Sequence, residues 1–268
     1  MKEKMGNASR RIKQRKKALS IVSELMNNPE NVVVIHYSCE SFYDRPDGSS
    51  PRITSIAVRN LASGQTTSFS IHQMAEREKV SRDEIEQNYD RLEKRMLDEF
   101  YNYVQGRVTH NWLHWNMRDI NYGFAAIAHR YSVLGGMPVE IHESKLVDLA
   151  RLVTAIYGIG YIGHPRLEKL VEKNKITNRD FLSGADEAHA FINKEYVKLH
   201  QSTLRKVDIL ANIIERIDNQ TLKTNSTWKD VYGSYPEAIG EFLKEHWFFT
   251  VIGFLSAIAG IIALFISR

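Results

Sequence analysis

The spacing of apolar residues changes along the chain from a helical period to an alternating one and back. Residues 9–28 repeat apolar side chains at helical intervals, which predicts a helix with polar, basic remaining faces. Residues 31–42 open with a run of valines typical of a buried strand, and residues 52–60 and 66–72 follow as two further β segments. A turn at residues 62–64 joins the last two segments, so we predict three strands in meander order.

Helical spacing dominates the second half of the chain. Ser81 and Glu84 form a capping-box pattern at the start of a helix that reaches about Val104. Further helices are predicted at residues 119–134, 146–157, 165–172 and 185–217, and short strands at residues 107–111 and 139–142. Strands that alternate with helices after a meander predict an α/β fold, with a mixed sheet and flanking helices.

The last apolar segment, residues 247–267, contains 21 residues without a charge. As a helix it would span roughly 31 Å, enough for a hydrocarbon core of about 30 Å. We therefore predict one C-terminal transmembrane helix, which makes this a single-pass, tail-anchored membrane protein with its N-terminal domain in the cytoplasm. Small residues four apart, at Gly253 and Ala257 and at Ser256 and Gly260, leave self-association into a homo-oligomer open.

Positive charge is concentrated at the start of the chain. The 268 residues carry a formal net charge of +4, but residues 1–17 alone hold eight Lys or Arg and one Glu. Such an arm is either a solvated helix packed on the domain or a contact to anionic lipid or nucleic acid. The single cysteine, Cys39, excludes a disulfide framework and a multi-cysteine zinc site. We divide the chain into a basic helical arm (1–30), an α/β domain (31–218), a linker with a short juxtamembrane helix (219–246) and the membrane helix (247–267).

Three short motifs resemble a known family when they are taken in order. The first predicted strand leads into Ser38-Cys39-Glu40, and a later one ends at His110-Asn111, with Trp112-Leu113-His114-Trp115-Asn116 next. The last long helix carries His200, Arg205 and Asp208. Over residues 32–215 this resembles the DEDD family of 3′–5′ exonucleases, which has a ribonuclease H-like fold. In that family the motifs are Asp-x-Glu, then His-Asn followed by an aromatic residue and Asp, then His and four residues later Asp.

The resemblance implies a nuclease site whose ligands have changed. Family members hold two divalent metals with four clustered carboxylates. Of those positions only Glu40 is acidic here, since Ser38 and Asn116 are neutral and Arg205 is a cation. For an active site, the resemblance implies catalysis by Glu40, Asp119, His200 and Asp208, with Mg²⁺ or Mn²⁺ on Glu40, Asp119 and Asp208; for an inactive site it implies no cofactor. The residues implied to line a nucleic-acid groove are Ser38, His110, Asn111, Trp115, Asn116 and Arg205.

Three functions stay open from the sequence. The first is a membrane-anchored, exonuclease-like protein that recognises nucleic acid or a nucleotide at a degenerate site. The second is an active, metal-dependent 3′–5′ exonuclease at the membrane, and the third is a protein-interaction or membrane-effector module. The GxGxxG pattern at residues 158–163 follows a predicted helix rather than a strand, so we predict a flexible loop there instead of a dinucleotide site.

Overall fold

The computed structural model describes residues 7–40 and 50–232. Its strands are β1 (Val32–Cys39), β2 (Ile53–Asn60), β3 (Thr66–Ser70), β4 (Asn111–His114) and β5 (Leu146–Asp148). Its α-helices are α1 (Asn7–Asn27), α2 (Ile71–Arg77), α3 (Tyr89–Gln105), α4 (Phe124–Val133), α5 (Leu149–Tyr157), α6 (Arg166–Lys173), α7 (Gly184–Ile192), α8 (Tyr196–Asp218) and α9 (Trp228–Tyr232).

The five strands form one mixed sheet in the order β3-β2-β1-β4-β5. The first three strands are antiparallel neighbours, which is the predicted meander, and β4 and β5 run parallel to β1. Val34 in the central strand lies opposite Arg59 of β2 and Leu113 of β4. The predicted α/β fold with a mixed sheet and flanking helices is therefore confirmed.

Helices cover both faces of the sheet, which explains the unbroken apolar run at the start of β1. Val32 and Val34 belong to a core shared with α1, α5 and α8, whereas Val33 and Ile35 belong to a core shared with α2 and α3. The helix α8 is the main layer over β1 and β2. The end of β1 is thus held between two packed layers.

Both ends of the described chain pack on this domain. Three buried residues of α1 (Ala18, Val22 and Leu25) belong to the core that α5 and α8 complete. In the segment expected to be a linker, the Ser226 hydroxyl donates to the Tyr157 carbonyl at 2.6 Å, and α9 contacts α1 and α5. No helix within residues 7–40 and 50–232 is long and apolar enough to cross a membrane. The predicted membrane helix at residues 247–267 lies outside the described residues.

Several predicted boundaries are wrong, and each has a local cause. The strand predicted at 107–111 begins only at Asn111, and the helix predicted at 119–134 begins at Phe124. Residues 139–142 form no strand although Val139 and Ile141 pack on the core, because alternation reports burial rather than ladder pairing. The fifth strand instead opens the segment predicted as helix 146–157.

The helix predicted at 185–217 is two helices in the structure. The first ends at Ile192 and the second begins at Tyr196. Between them Lys194 has a φ of 58°, in the left-handed region that a continuous helix cannot include. The break lets α7 turn and contact both α8 and β1.

Candidate functional site

The carboxyl ends of β1, β4 and β5 meet at one edge of the sheet because these strands are parallel. Ligands of open α/β sheets bind outside such an edge. Here it presents Ser38 from β1, Asn116 just after β4 and Asp148 at the end of β5. These residues define the candidate site.

The β1 side of the site contains buried polar atoms without partners. The Ser38 side chain is 1 % exposed, and its hydroxyl has no hydrogen-bond partner among the described residues. Two residues earlier, both ring nitrogens of His36 are equally without a partner there. Burial and the nearby Lys206 cation hold the pKa of His36 well below its ordinary value. This imidazole is therefore neutral at physiological pH.

The helix α8 brings a cation to this end of β1. The Thr203 hydroxyl lies 2.7 Å from the Ser55 hydroxyl, and Ser55 pairs with Ser38 across the sheet. One turn later, Lys206 Nζ lies 2.8 Å from Oε1 of Glu187 on α7. The two side chains are only 7 % and 8 % exposed, respectively. A buried ion pair therefore lies near β1, close enough to His36 to lower the pKa of that imidazole.

Glu187 is further held by a hydroxyl from the same helix. The Ser202 side chain donates to Glu187 Oε1 at 3.0 Å and accepts the Leu182 backbone N–H at 3.1 Å. The Lys206 ammonium also lies 5.3 Å from the centre of the Phe181 ring. Each charge is thus compensated inside the protein, as buried charges need to be.

Glu40, the one acid retained from the family motif, is paired with an arginine. The Arg52 guanidinium donates from Nε and a terminal nitrogen to the two Glu40 oxygens, at 3.2 and 3.3 Å. The Arg52 backbone N–H adds a third contact at 3.3 Å, and its other terminal nitrogen reaches Glu86 at 2.7 Å. This geometry directs the Glu40 carboxylate toward a cation of the protein itself.

The three predicted metal ligands do not come together. Asp119 lies in an exposed turn and accepts the Asn121 backbone N–H at 2.9 Å. Asp208 pairs with Arg59 at 3.2 Å, and Arg59 lies at the level of Val34 in the sheet, roughly 13 Å along the strand from Ser38. Within residues 7–40 and 50–232, no group of three or more His, Cys, Asp or Glu could hold a metal ion.

His200, the fourth predicted catalytic residue, faces α2 rather than the sheet edge. Its ring centre lies 5.0 Å from that of His72, and its Nε2 has no hydrogen-bond partner among the described residues. Burial and the neighbouring His72 lower the pKa of His200 to about 4. His200 is therefore a neutral core residue at physiological pH.

The predicted nucleic-acid residues are spread over the domain. His110 and Asn111 lie at the amino end of β4, where Asn111 faces Val32, roughly 20 Å along the sheet from the level of Ser38. Trp115 is buried in the core, so its faces cannot stack on a base. Arg205 donates to the Arg179 carbonyl at 2.9 Å on the outer side of α8. Ser38 and Asn116 alone of the six share the carboxyl edge.

On the β5 side, Asp148 organises the edge, although it was not among the predicted site residues. It caps α5 by accepting the Ala150 N–H at 2.9 Å, accepts the Asn116 N–H at 3.3 Å, and pairs with Arg118. Next to it, burial lowers the pKa of His114 to about 4. An aspartate at the junction of a strand and a helix is the sequence signal that could have identified this residue.

Comparison of the chain with protein-family models, with curated proteins and with solved structures found no match.

Proposed function

We propose that this chain recognises nucleic acid or a nucleotide through a ribonuclease H-like domain that does not cleave its ligand. The observation that carries the proposal is the buried ion pair of Lys206 and Glu187 beside the end of β1. The order of elements supports the fold assignment, since a three-stranded meander is followed by two strands that alternate with helices. This is the order on which the resemblance to DEDD exonucleases rests.

The acids near this position are compensated by cations of the protein, since Lys206 pairs with Glu187 and Arg52 pairs with Glu40. The remaining residue of the family motif, Ser38, is neutral, whereas Mg²⁺ is usually bound through carboxylates. Two-metal hydrolysis therefore lacks its ligands here.

Recognition without cleavage is supported by the polar atoms that remain. A buried hydroxyl or imidazole nitrogen without a partner costs roughly 1–3 kcal/mol. The Ser38 hydroxyl and the His36 ring both carry that cost near the carboxyl edge. Both groups are buried, at 1 % and 6 % exposed, so a ligand would recover this cost only by displacing the packing above them and hydrogen-bonding to them.

The membrane tether remains a proposal that rests on the uncharged segment 247–267. It would place the domain at a membrane surface, with the domain on the cytoplasmic side. Extraction of the expressed chain with alkaline carbonate tests this part alone. A chain released without detergent would contradict the anchor and leave the nucleic-acid proposal untouched.

The test of the function uses the full-length chain in non-ionic detergent with labelled single-stranded and duplex DNA and RNA. We expect equal binding with Mn²⁺ and with EDTA, and no shortening of any strand. Metal-dependent shortening that disappears in Glu40→Gln would refute the proposal and establish an active exonuclease. The absence of both binding and shortening would point to a protein-interaction module instead.

The role of the β1 side is tested with Ser38→Ala. Because the hydroxyl has no partner among the described residues, the variant should be as stable as the parent chain or more so, yet bind the ligand roughly 5- to 10-fold more weakly for one lost hydrogen bond. Ser132→Ala on the exposed side of α4 is the matched control. Unchanged affinity in Ser38→Ala would remove this hydroxyl from the recognition site.

A further inference from the structure

A second feature lies beside the candidate site, on the α1 and α5 side of the sheet. It is an open groove of about 980 Å³ between α1, α5, the loop after β4 and the loop that follows α5. Five cations line it, and a single acid, Asp230, is among its lining residues in the described part of the chain. We call it the basic groove; its cations are Arg11, Lys17, Arg118, Arg151 and Arg166.

The charges of the basic groove are only partly compensated. Arg118 pairs with Asp148, and the Arg11 cation lies close enough to Asp230 to lower the pKa of that carboxyl, after the larger effect of its hydrogen bonds to Thr227. Lys17 and Arg151 make no ion pair within residues 7–40 and 50–232. A concave surface lined by cations focuses the electrostatic field and raises the local concentration of an anionic ligand.

The backbone of the GxGxxG segment forms one wall of the groove. Gly158 has a φ of 87°, and a Cβ there would lie 2.8 Å from the Arg11 guanidinium and 2.7 Å from a backbone oxygen of Asp230. Gly160 has open space around its Cα. The glycines therefore allow α1 and the loop to approach closely, which gives this motif a role other than dinucleotide binding.

The shape of the groove fits a chain of phosphates. From Ala150 to Gly158 it follows α5 for roughly 12 Å, which is long enough for more than one phosphate of a strand. No Phe, Tyr or Trp is among its described lining residues, so contacts to bases by stacking are missing. Four of its five cations are arginines, whose planar fork matches phosphate oxygens. A bilayer surface is flat and would instead meet convex cations.

We infer that the basic groove binds the phosphodiester backbone of a nucleic-acid strand, without reading its sequence. The inference rests on the proposed function and adds the surface that contacts the phosphates. The helices α1, α5 and α8 share one core on the same face of the sheet, but the groove lies between α1 and α5, whereas α8 covers β1 and β2. The groove would hold the strand while the carboxyl edge contacts one nucleotide of it.

The test compares the full-length double variant Lys17→Gln, Arg151→Gln with the parent chain in non-ionic detergent. Both side chains are exposed, so folding should be unaffected, which a thermal melt checks. The double variant Lys169→Gln, Lys173→Gln is the charge-matched control, because both lysines are exposed on α6 and neither lines the groove. Binding of labelled single-stranded and duplex RNA and DNA is measured between about 50 and 200 mM salt, the range over which phosphate contacts lose most affinity.

We expect the double variant to bind roughly 10- to 100-fold more weakly at low salt, with a salt slope smaller by about 1.4 for single strands, since each phosphate contact contributes about 0.7. Poly-pyrimidine and mixed sequences should bind alike. The Lys169→Gln, Lys173→Gln control should match the parent chain. The single-stranded and duplex arms identify which form of the phosphodiester chain occupies the groove.

The other outcomes separate this inference from the proposed function. Parental affinity and salt slope in the double variant would overturn the groove and leave recognition elsewhere on the domain intact. Metal-dependent shortening that weakens in the double variant would support the groove and refute the absence of cleavage. Displacement from phosphatidylserine-doped micelles alone, with no nucleic-acid binding, would overturn both and identify the groove as a lipid contact.

Discussion

Replacing Lys206 with methionine tests the buried ion pair most directly. Methionine keeps most of the volume of the lysine stem and removes the ammonium, so Glu187 stays 8 % exposed with only the Ser202 hydroxyl to compensate it. At 2.8 Å and an effective dielectric constant of about 20, the lost attraction is roughly 6 kcal/mol. Partial relaxation and water entry reduce the net effect, and removal of one partner from a buried pair typically costs about 3–5 kcal/mol.

The assay is urea denaturation of the full-length chain in non-ionic detergent, followed by tryptophan fluorescence. We expect the free energy of unfolding to fall by about 3–5 kcal/mol in Lys206→Met. The double variant Lys206→Met, Glu187→Gln should recover most of that loss, because a neutral amide still accepts the Ser202 hydroxyl and no longer needs a cation. Lys173→Gln, at an exposed position, should stay within about 0.5 kcal/mol of the parent chain.

Two results would refute this reasoning. A loss below about 1 kcal/mol in Lys206→Met would mean that the pair behaves like an exposed one, with water around both charges. A double variant no more stable than Lys206→Met would mean that the methionine damages packing rather than charge balance. Either result would also weaken the charge compensation on which the proposed lack of metal catalysis depends.

Two further predictions concern acid stability and the β5 edge. His200 has a folded pKa of about 4 against an ordinary value of 6.5, so the neutral imidazole favours folding fully above pH 6.5. This contribution to the free energy of unfolding is lost as the pH falls toward 4. At pH 5 the loss is about 2 kcal/mol. In His200→Met the loss of stability between pH 7 and pH 5 should shrink by that amount. In the control variant His129→Gln, at an exposed position, it should not shrink. Equal pH profiles in the two variants would contradict a neutral, buried His200. Asp148→Ala should lower stability by about 2–4 kcal/mol in urea denaturation, since it removes the α5 cap and the Arg118 pair. Asp148→Asn, which keeps the cap, should lose clearly less, and equal losses would show that the cap contributes little.

The first three strands of the sheet could be predicted from sequence because the spacing of apolar residues and the turn between segments determine them. The valine run of β1 and the turn at residues 62–64 specify a buried strand and its antiparallel partners, and both were found. The position of β4 was not predictable in the same way. His110-Asn111 matches a family motif by residue type, but the strand begins at Asn111 and pairs there with Val32. The strand begins four residues later than predicted, so the His110-Asn111 motif lies at the start of β4 and not at its end.

The charge pairs of the candidate site could not be predicted from the sequence, for a different reason. Adjacent residues on a helix point about 100° apart, so Arg205 is only partly buried while Lys206 is buried in the core. The partners of Lys206 and Glu40 come from elements that only the tertiary fold brings near, namely Glu187 on α7 and Arg52 at the start of β2. Sequence reasoning identified acids and cations and could not pair them.

The packing of α1 against α9 also constrains how the protein is made. The helix α1 buries its apolar face against α5 and α8 and contacts α9, about 200 residues later in the chain. At a synthesis rate of about 5–20 residues per second, α1 would wait roughly 10–40 s for these partners. Its three core residues are exposed to water for that time, and the core closes only through contacts between distant parts of the chain. The nascent chain is therefore expected to need protection from aggregation until α8 and α9 have emerged from the ribosome.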